Sequence, residues 1–278
     1  MDCYLHHHRR QYNLNLSIIL PTYNEEKNLE FIIPEILDLM KRKKYENYEI
    51  IVVDDNSNDN TAKVIKKIKE NTLNVIFIER KEDNSLPLSI YEGILNSTKE
   101  NIMWLDSDGS MDVEAIEKLI EKLLENKDIV FVGSRFVKDG GYKGKSLANN
   151  QKSVFSILEV SNSEDSLIAI YLSLIFNKIL EKVLNIGVKD LTSGFIIGKK
   201  AYFRESMFEN FVYGEYFIKV IVDLHILGVE IKETGYFCKP RVYGFSKTSN
   251  NLLRLISLSK PYILTAASLR KDIRAHLR

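Results

Sequence analysis

Apolar residues along this chain fall into two alternating patterns. Short runs of strand length stop abruptly in polar turns: Leu16–Leu20, Glu49–Val53, Val75–Ile78, Ile102–Leu105 and Ile129–Val132. Between them, apolar positions recur every three or four residues. Leu29, Ile32, Ile33, Ile36, Leu37 and Met40 form one such stripe, interrupted by Pro34, which predicts a kink or a restart. Ile65 and Ile68 in Thr61–Lys69, then Leu86, Ile90 and Ile94, then Val113, Ile116, Leu119, Ile120, Leu123 and Leu124 mark three more helices. Strands alternating with helices of this length predict βαβ units and an α/β fold with a mostly parallel sheet.

The second half is less regular. Asp139–Asp165 holds Gly140, Gly141 and Gly144 among serines and asparagines, a long aperiodic stretch expected to be a mobile lid or acceptor loop. Ser166–Leu184 reads as a very apolar helix, Asp190–Gly198 as a turn and strand, and Tyr216–Leu227 as a helix. Glu230–Thr234 and Phe237–Val242 read as strands. The organisation expected is a disordered tail over 1–14, one domain over 15–249 containing the 139–165 loop, and a basic amphipathic tail over 250–278 divided by Pro261.

The polar turns carry the chemistry. Thr22–Glu26, Asp54–Asn60, Asp106–Ser110 and Gly133–Arg135 all follow strands, so in a parallel sheet they gather at one edge, where ligands of open α/β sheets bind. Asp106 and Asp108 close the buried run containing Trp104. Two carboxylates so close at the end of a buried strand suit a hard divalent cation and a substrate's phosphates, or else form a simple polar turn. Asp54 and Asp55 can accept hydrogen bonds from a ribose or a base; Asp59 is placed to cap the following helix. Arg135 suits bidentate phosphate recognition or a salt bridge. Arg241 and Lys247 flank a glycine turn and can clamp a diphosphate. No Ser/His/Asp arrangement or phosphate-binding glycine loop stands out.

Composition narrows the classes. The 278 residues carry a net charge of +1, which argues against a nucleic-acid-binding chain. Cys3 and Cys238 form no disulfide framework, consistent with a reducing compartment, and His6–His8 read as part of a frayed terminus. No apolar run reaches the roughly 20 residues of a membrane-spanning helix, so contact with a bilayer is expected only from its surface.

Taken in order, these segments resemble the family 2 glycosyltransferases of the GT-A (Rossmann-like) fold, and among them the dolichyl- and polyprenyl-phosphate sugar transferases. Ile19–Glu25 is similar to the family's opening IPTYNE, and Val52–Thr61 to its VVDDGSxDGT with asparagine at both glycine positions. Asp106–Ser110 sits where the family carries its DxD-type motif. Gly133–Phe136 matches GSRY, Asp190–Phe195 matches DLTSGF, and Arg241–Lys247 matches RxxGxSK.

The resemblance implies a metal-dependent, inverting transfer of a hexose, mannose or glucose, from a nucleotide-sugar of the GDP-mannose or UDP-glucose class to a polyprenyl or dolichyl phosphate. It implies that Pro21, Tyr23, Glu25, Val53 and Asp55 hold the nucleoside. Asp106 and Asp108, with Ser107 and Ser110, would hold Mg²⁺ or Mn²⁺ and the diphosphate, steadied by Arg241 and Lys247. Arg135 and Ser173 would receive the acceptor phosphate, with Asp108 and Arg135 central to catalysis. Ala169 stands where the family carries an arginine. The implied setting is the cytoplasmic face of the cell membrane, bound peripherally. Two alternatives remain: transfer to a saccharide hydroxyl, which needs a general base, and a catalytically retired nucleotide-sugar-binding module.

Overall fold

The computed structural model describes residues 14–81, 84–142, 145–146, 167–211, 213–244 and 252–276. Lys247, the N-terminal tail with His6–His8 and most of the 139–165 loop lie outside the described residues.

Each short apolar run is a strand and each stripe a helix. The order is β1 (Leu16–Thr22), α1 (Glu26–Lys43), β2 (Tyr48–Asp55), α2 (Thr61–Lys69), β3 (Val75–Arg80) and α3 (Leu86–Asn96). There follow β4 (Asn101–Trp104), α4 (Val113–Glu125), β5 (Val130–Ser134), β6 (Gly141–Tyr142) and β7 (Lys145–Ser146). The remainder is α5 (Leu167–Leu184), β8 (Ile196–Lys199), α6 (Tyr216–Ile226), β9 (Ile231–Gly235), β10 (Phe237–Cys238) and α7 (Leu252–His276).

The main sheet has seven strands in the order β3-β2-β1-β4-β8-β5-β9. Only β8 runs against its neighbours, pairing antiparallel with both β4 and β5. A smaller sheet, β10-β6-β7, lies beside it. The register Pro21↔Val53 and Thr22↔Asp54 sets the ends of β1 and β2 level, so the turns after them open on one side of the sheet.

Helices cover both faces, which is why the central strands are apolar throughout rather than alternating. On one face α1 and α4 bury Leu29, Ile32, Ile36, Ile116, Leu119 and Leu123 against Ile18, Ile50 and Met103. On the other, Ile90 of α3, Leu180 of α5, Val220 of α6 and Leu269 of α7 close over Ile19, Ile51 and Trp104. Helix α1 runs through Pro34 as one element, so the restart expected there is absent; the buried stripe on either side of it outweighs one lost backbone donor. Ser85 and Asp112 cap α3 and α4 by accepting from the backbone N–H groups of Leu88 and Ala115.

The C-terminal segment is a single helix. Ala266, Leu269 and Ile273 are buried in the core layer that includes α6, and Tyr262 packs edge-on against Phe176 of α5, with ring centroids 5.8 Å apart. Among the described residues no helix is long and apolar enough to cross a membrane.

Candidate active site

The turns after β1, β2, β4 and β5 converge as their order in the sheet requires. Beyond β4 the chain passes Asp106 and turns at Gly109, whose φ of +77° favours glycine. A side chain there would also meet Val242 Cγ2 at 2.6 Å. This close approach brings in the 239–242 segment: Lys239 N–H donates to the Ser110 carbonyl at 2.9 Å and Val242 N–H to the Asp108 carbonyl at 3.2 Å. Arg241 is thereby fixed over the acidic turn. Its guanidinium pairs with Glu25 from the turn after β1, and its Nε lies 3.3 Å from Asp108 Oδ2. Asp108 Oδ1 accepts the Ser110 N–H at 2.9 Å. Glu25 also accepts from Asn28 Nδ2 at 2.5 Å.

Asp106 differs from these. The residue is exposed, and among the described residues no group donates a hydrogen bond to its carboxyl. Loss of hydration among the surrounding protein atoms is the main cause lifting its pKa to about 7, with the charges of Asp108 and Glu25 adding to it and those of Arg241 and Arg135 opposing it. A carboxyl short of positive partners beside a second carboxylate is a fit for a divalent cation. No cluster of three or more His, Cys, Asp or Glu stands close enough among the described residues to enclose one. Two protein carboxylates completed by phosphate oxygens are the donor set such a cation takes in phosphate-handling sites.

The remaining donor-side residues are placed as follows. Ser107 is buried and its hydroxyl donates to the Pro21 carbonyl at 3.0 Å, tying β1 to the acidic turn. Tyr23 is half-buried at the end of β1. Val53 is fully buried and backs the cleft rather than lining it. Asp54 and Asp55 are buried too, not exposed at the strand end as the sequence suggests. Asp54 accepts the Ser57 hydroxyl at 2.5 Å, and burial raises its pKa. Asp55 pairs with buried Arg80 and accepts the Ser85 N–H at 2.7 Å. Asp59 accepts the Thr61 N–H at 3.0 Å, but the N-cap position of α2 is Asn60, whose side chain makes no capping bond, so the cap expected of Asp59 lies one residue further on.

A second cluster forms around Arg135. Asp190, fully buried, accepts its Nε at 2.8 Å, its second guanidinium nitrogen at 2.7 Å and its backbone N–H at 2.9 Å. The Thr192 hydroxyl accepts from the same guanidinium at 2.9 Å. Burial works against the charge, but Asp190 more than offsets it and holds the Arg135 pKa well above its ordinary value. The guanidinium also lies over the rings of Phe136 and Tyr142, 5.2 and 5.4 Å from their centroids. Tyr142 in turn places its hydroxyl 3.3 Å from the Ser173 hydroxyl of α5. Arg135 and Ser173, far apart in sequence, thus share one pocket wall. Asn177, one turn further along α5, spans Thr192 and the Ser173 carbonyl.

Sequence reasoning gave no role to Asp190, Thr192, Tyr142, Asn177 or Arg80. The DLTSGF segment was the available signal for the first two; the others are ordinary residues until the fold juxtaposes them.

Sheet order and converging acidic turns define the class: a nucleotide-sugar-transferase fold of the GT-A type, in one domain. Residues 17–207 match the model of glycosyl transferase family 2, and the chain belongs to that family. It is 30% identical over 132 residues to a dolichyl-phosphate beta-glucosyltransferase from Trichomonas vaginalis, covering 45% of this chain and 40% of that protein. It is 34% identical over 127 residues to a dolichol-phosphate mannosyltransferase from Pyrococcus furiosus, covering 46% and 35%. A poly-beta-1,6-N-acetyl-D-glucosamine synthase from Staphylococcus aureus is 36% identical over 106 residues, covering 38% and 24%. These matches span less than half the length of those relatives. Among solved structures, mannosyl-3-phosphoglycerate synthase from Rubrobacter xylanophilus superposes with a TM-score of 0.60 at 16% identity, over 94% of this chain and 76% of that one. Glucosyl-3-phosphoglycerate synthase from Mycobacterium tuberculosis, solved with Mn²⁺, UDP and phosphoglyceric acid, gives 0.58 at 17%, over 92% and 78%. At such identity these two show the fold alone.

Proposed function

We propose that this glycosyltransferase moves a hexose, mannose or glucose, from a GDP- or UDP-linked donor to a polyprenyl or dolichyl phosphate at the cytoplasmic face of a membrane, with inversion. The observation that carries the reading is the donor-free Asp106 carboxyl beside Asp108, under Arg241, at the joined ends of β1 and β4. The dolichyl-phosphate transferases among its relatives support the acceptor class, and the Mn²⁺ and UDP of the mycobacterial neighbour support the donor and cation.

Asp106 and Asp108 would hold Mg²⁺ or Mn²⁺, whose charge, when present, neutralises the diphosphate as it leaves. Arg241 already sits against Asp108 and Glu25 and adds its positive charge at the same place. Pro21, Tyr23 and Glu25 would line the nucleoside end, with Val53 and Asp55 behind them and Ser107 holding the acidic turn to β1. Arg135, oriented by Asp190, presents its guanidinium edge beside Ser173 and Tyr142 to an acceptor phosphate. A phosphate is already an anion near neutral pH, so the attack needs no histidine.

A second reading is transfer to a saccharide hydroxyl, the chemistry of the staphylococcal relative's name: that attack needs a general base, and Asp106, exposed and without a hydrogen-bond donor among the described residues, is a carboxyl open to the role.

The test is transfer from labelled nucleotide-sugars, with Mn²⁺ or Mg²⁺, into an organic-extractable product on adding polyprenyl phosphate. Label entering the organic phase, and lost in Asp108→Ala, establishes the lipid-phosphate reading. Label moving only to an oligosaccharide selects the second. Neither transfer nor nucleoside diphosphate release returns the chain to a binding module.

A further inference from the structure

The segment that carries Arg241 follows β10 and belongs to no strand. It crosses the acidic turn as a strap over 239–243, held by the Lys239 and Val242 N–H bonds and by an ion pair between Lys239 and Asp112. Its far end is gripped by Asn28 of α1. Asn28 Oδ1 accepts the Tyr243 N–H at 2.9 Å, and its Nδ2 donates to the Tyr243 carbonyl at 3.1 Å. This is the donor and acceptor pair that a neighbouring strand would offer. The Asn28 Nδ2 also donates to Glu25 Oε2 at 2.5 Å. Past this grip the chain turns at Gly244, with φ +82° and, among the described residues, no atom within 4 Å of where a side chain would start.

Asn28 is only 4% exposed and shares its helix stripe with the buried aliphatics Leu29, Ile32 and Ile36. Helix formation does not ask for an amide there, since leucine, with the same branched outline, is the better helix former. A buried amide is tolerated when its two donors and its acceptor are engaged, as these three bonds engage them. Two of the three end on the strap, and the third ends on Glu25, the residue with which the Arg241 guanidinium pairs. One side chain therefore fixes Arg241 from both ends: its backbone through Tyr243 and its charged head through Glu25. We infer that Asn28 is a positioning residue for the donor diphosphate, seating Arg241 over the acidic turn and acting only through Arg241. The inference rests on the reading of that turn as the site of the cation and the diphosphate. An arginine already held in place meets an arriving phosphate without first being ordered, and the ordering avoided appears as affinity.

The experiment is calorimetric titration of the full chain with GDP and with UDP in the presence of Mn²⁺. Arg241→Ala should weaken binding about 10- to 150-fold, the worth of a hydrogen bond to a charged group. Asn28→Leu, which keeps the branched outline and removes all three bonds, should weaken it about tenfold. Added to Arg241→Ala, the same change should weaken it less than about twofold, because the residue through which it acts is gone. Asn28→Ala is carried through the same cycle as a second, smaller replacement, and a thermal melt of each chain reports on the fold. Equal loss with and without Arg241 makes Asn28 merely structural and overturns the inference, as does undiminished binding in both Asn28 variants. So does loss of the cooperative melt in both, which makes the amide a requirement of the fold. A wild-type chain that binds neither nucleotide overturns the donor reading and the inference with it. Wild-type binding that is lost in Asp108→Ala, with independent losses at Asn28 and Arg241, keeps the donor reading and overturns the inference alone.

Discussion

Substituting Asp190 by alanine tests whether the buried pair with Arg135 organises this part of the structure. Asp190 is fully buried and Arg135 has only 13% of its side chain exposed. The carboxylate accepts three hydrogen bonds from that one residue, two from the guanidinium and one from its backbone N–H. Removing one partner of a buried pair costs about 3–5 kcal/mol, because the remaining charge is stranded. The orphaned Arg135 N–H adds to this. Thr192 still accepts from the guanidinium, and the residual exposure admits water, so the lower part of the range, about 3–4 kcal/mol, is expected for Asp190→Ala. For a protein of this size that lowers the melting temperature by roughly 6–16 °C. Urea unfolding followed by circular dichroism, with the slope checked for constancy, gives the number directly. The double variant Arg135→Ala/Asp190→Ala removes the stranded charge and should cost at least about 2 kcal/mol less than the two single changes summed. A loss under about 1 kcal/mol in Asp190→Ala, or strict additivity in the double variant, would refute the pair as the organiser.

Metal-free protein should lose stability as pH rises. The Asp106 carboxyl keeps its proton to about pH 7 when folded, whereas its ordinary value is 3.8, so between these the native state binds the extra proton. Thermal melts in chelator should therefore fall across that window and level off above it, and Asp106→Asn should flatten the slope; an unchanged slope would place the titration elsewhere. Adding Mn²⁺ should raise the melting temperature more at pH 7.5 than at pH 5, and Asp108→Ala should remove the gain. Gly214→Ala should cost about 1–3 kcal/mol by overpacking, since a Cβ there falls inside contact distance of the Tyr262 hydroxyl, and Tyr262→Phe in the same chain should recover most of it; no recovery would mean that the strain lies in the backbone.

The alternation of apolar runs and stripes was enough to determine the α/β class, the parallel order of the first half and the edge where polar turns meet. That legibility has a physical basis: a central parallel strand must be apolar on both faces, and a covering helix on one, so both patterns are written locally. The acidic turn at Asp106–Asp108 was legible for the same reason, because carboxylates at the end of such a strand stand out. Tertiary structure decided what periodicity does not encode. Strand β8 enters antiparallel between β4 and β5, a pairing settled by distant partners. Asp54 and Asp55, adjacent polar residues in sequence, are buried because Ser57 and Arg80 come to meet them. Arg135 joins Asp190 and Ser173 across loops and helices, and the 252–276 segment packs Ala266, Leu269 and Ile273 inward while Lys260, Arg270, Lys271 and Arg274 stay exposed. The sequence determined which residues prefer burial and which carry charge; only the folded chain could decide which charges meet, because each pairing depends on the positions of two segments at once.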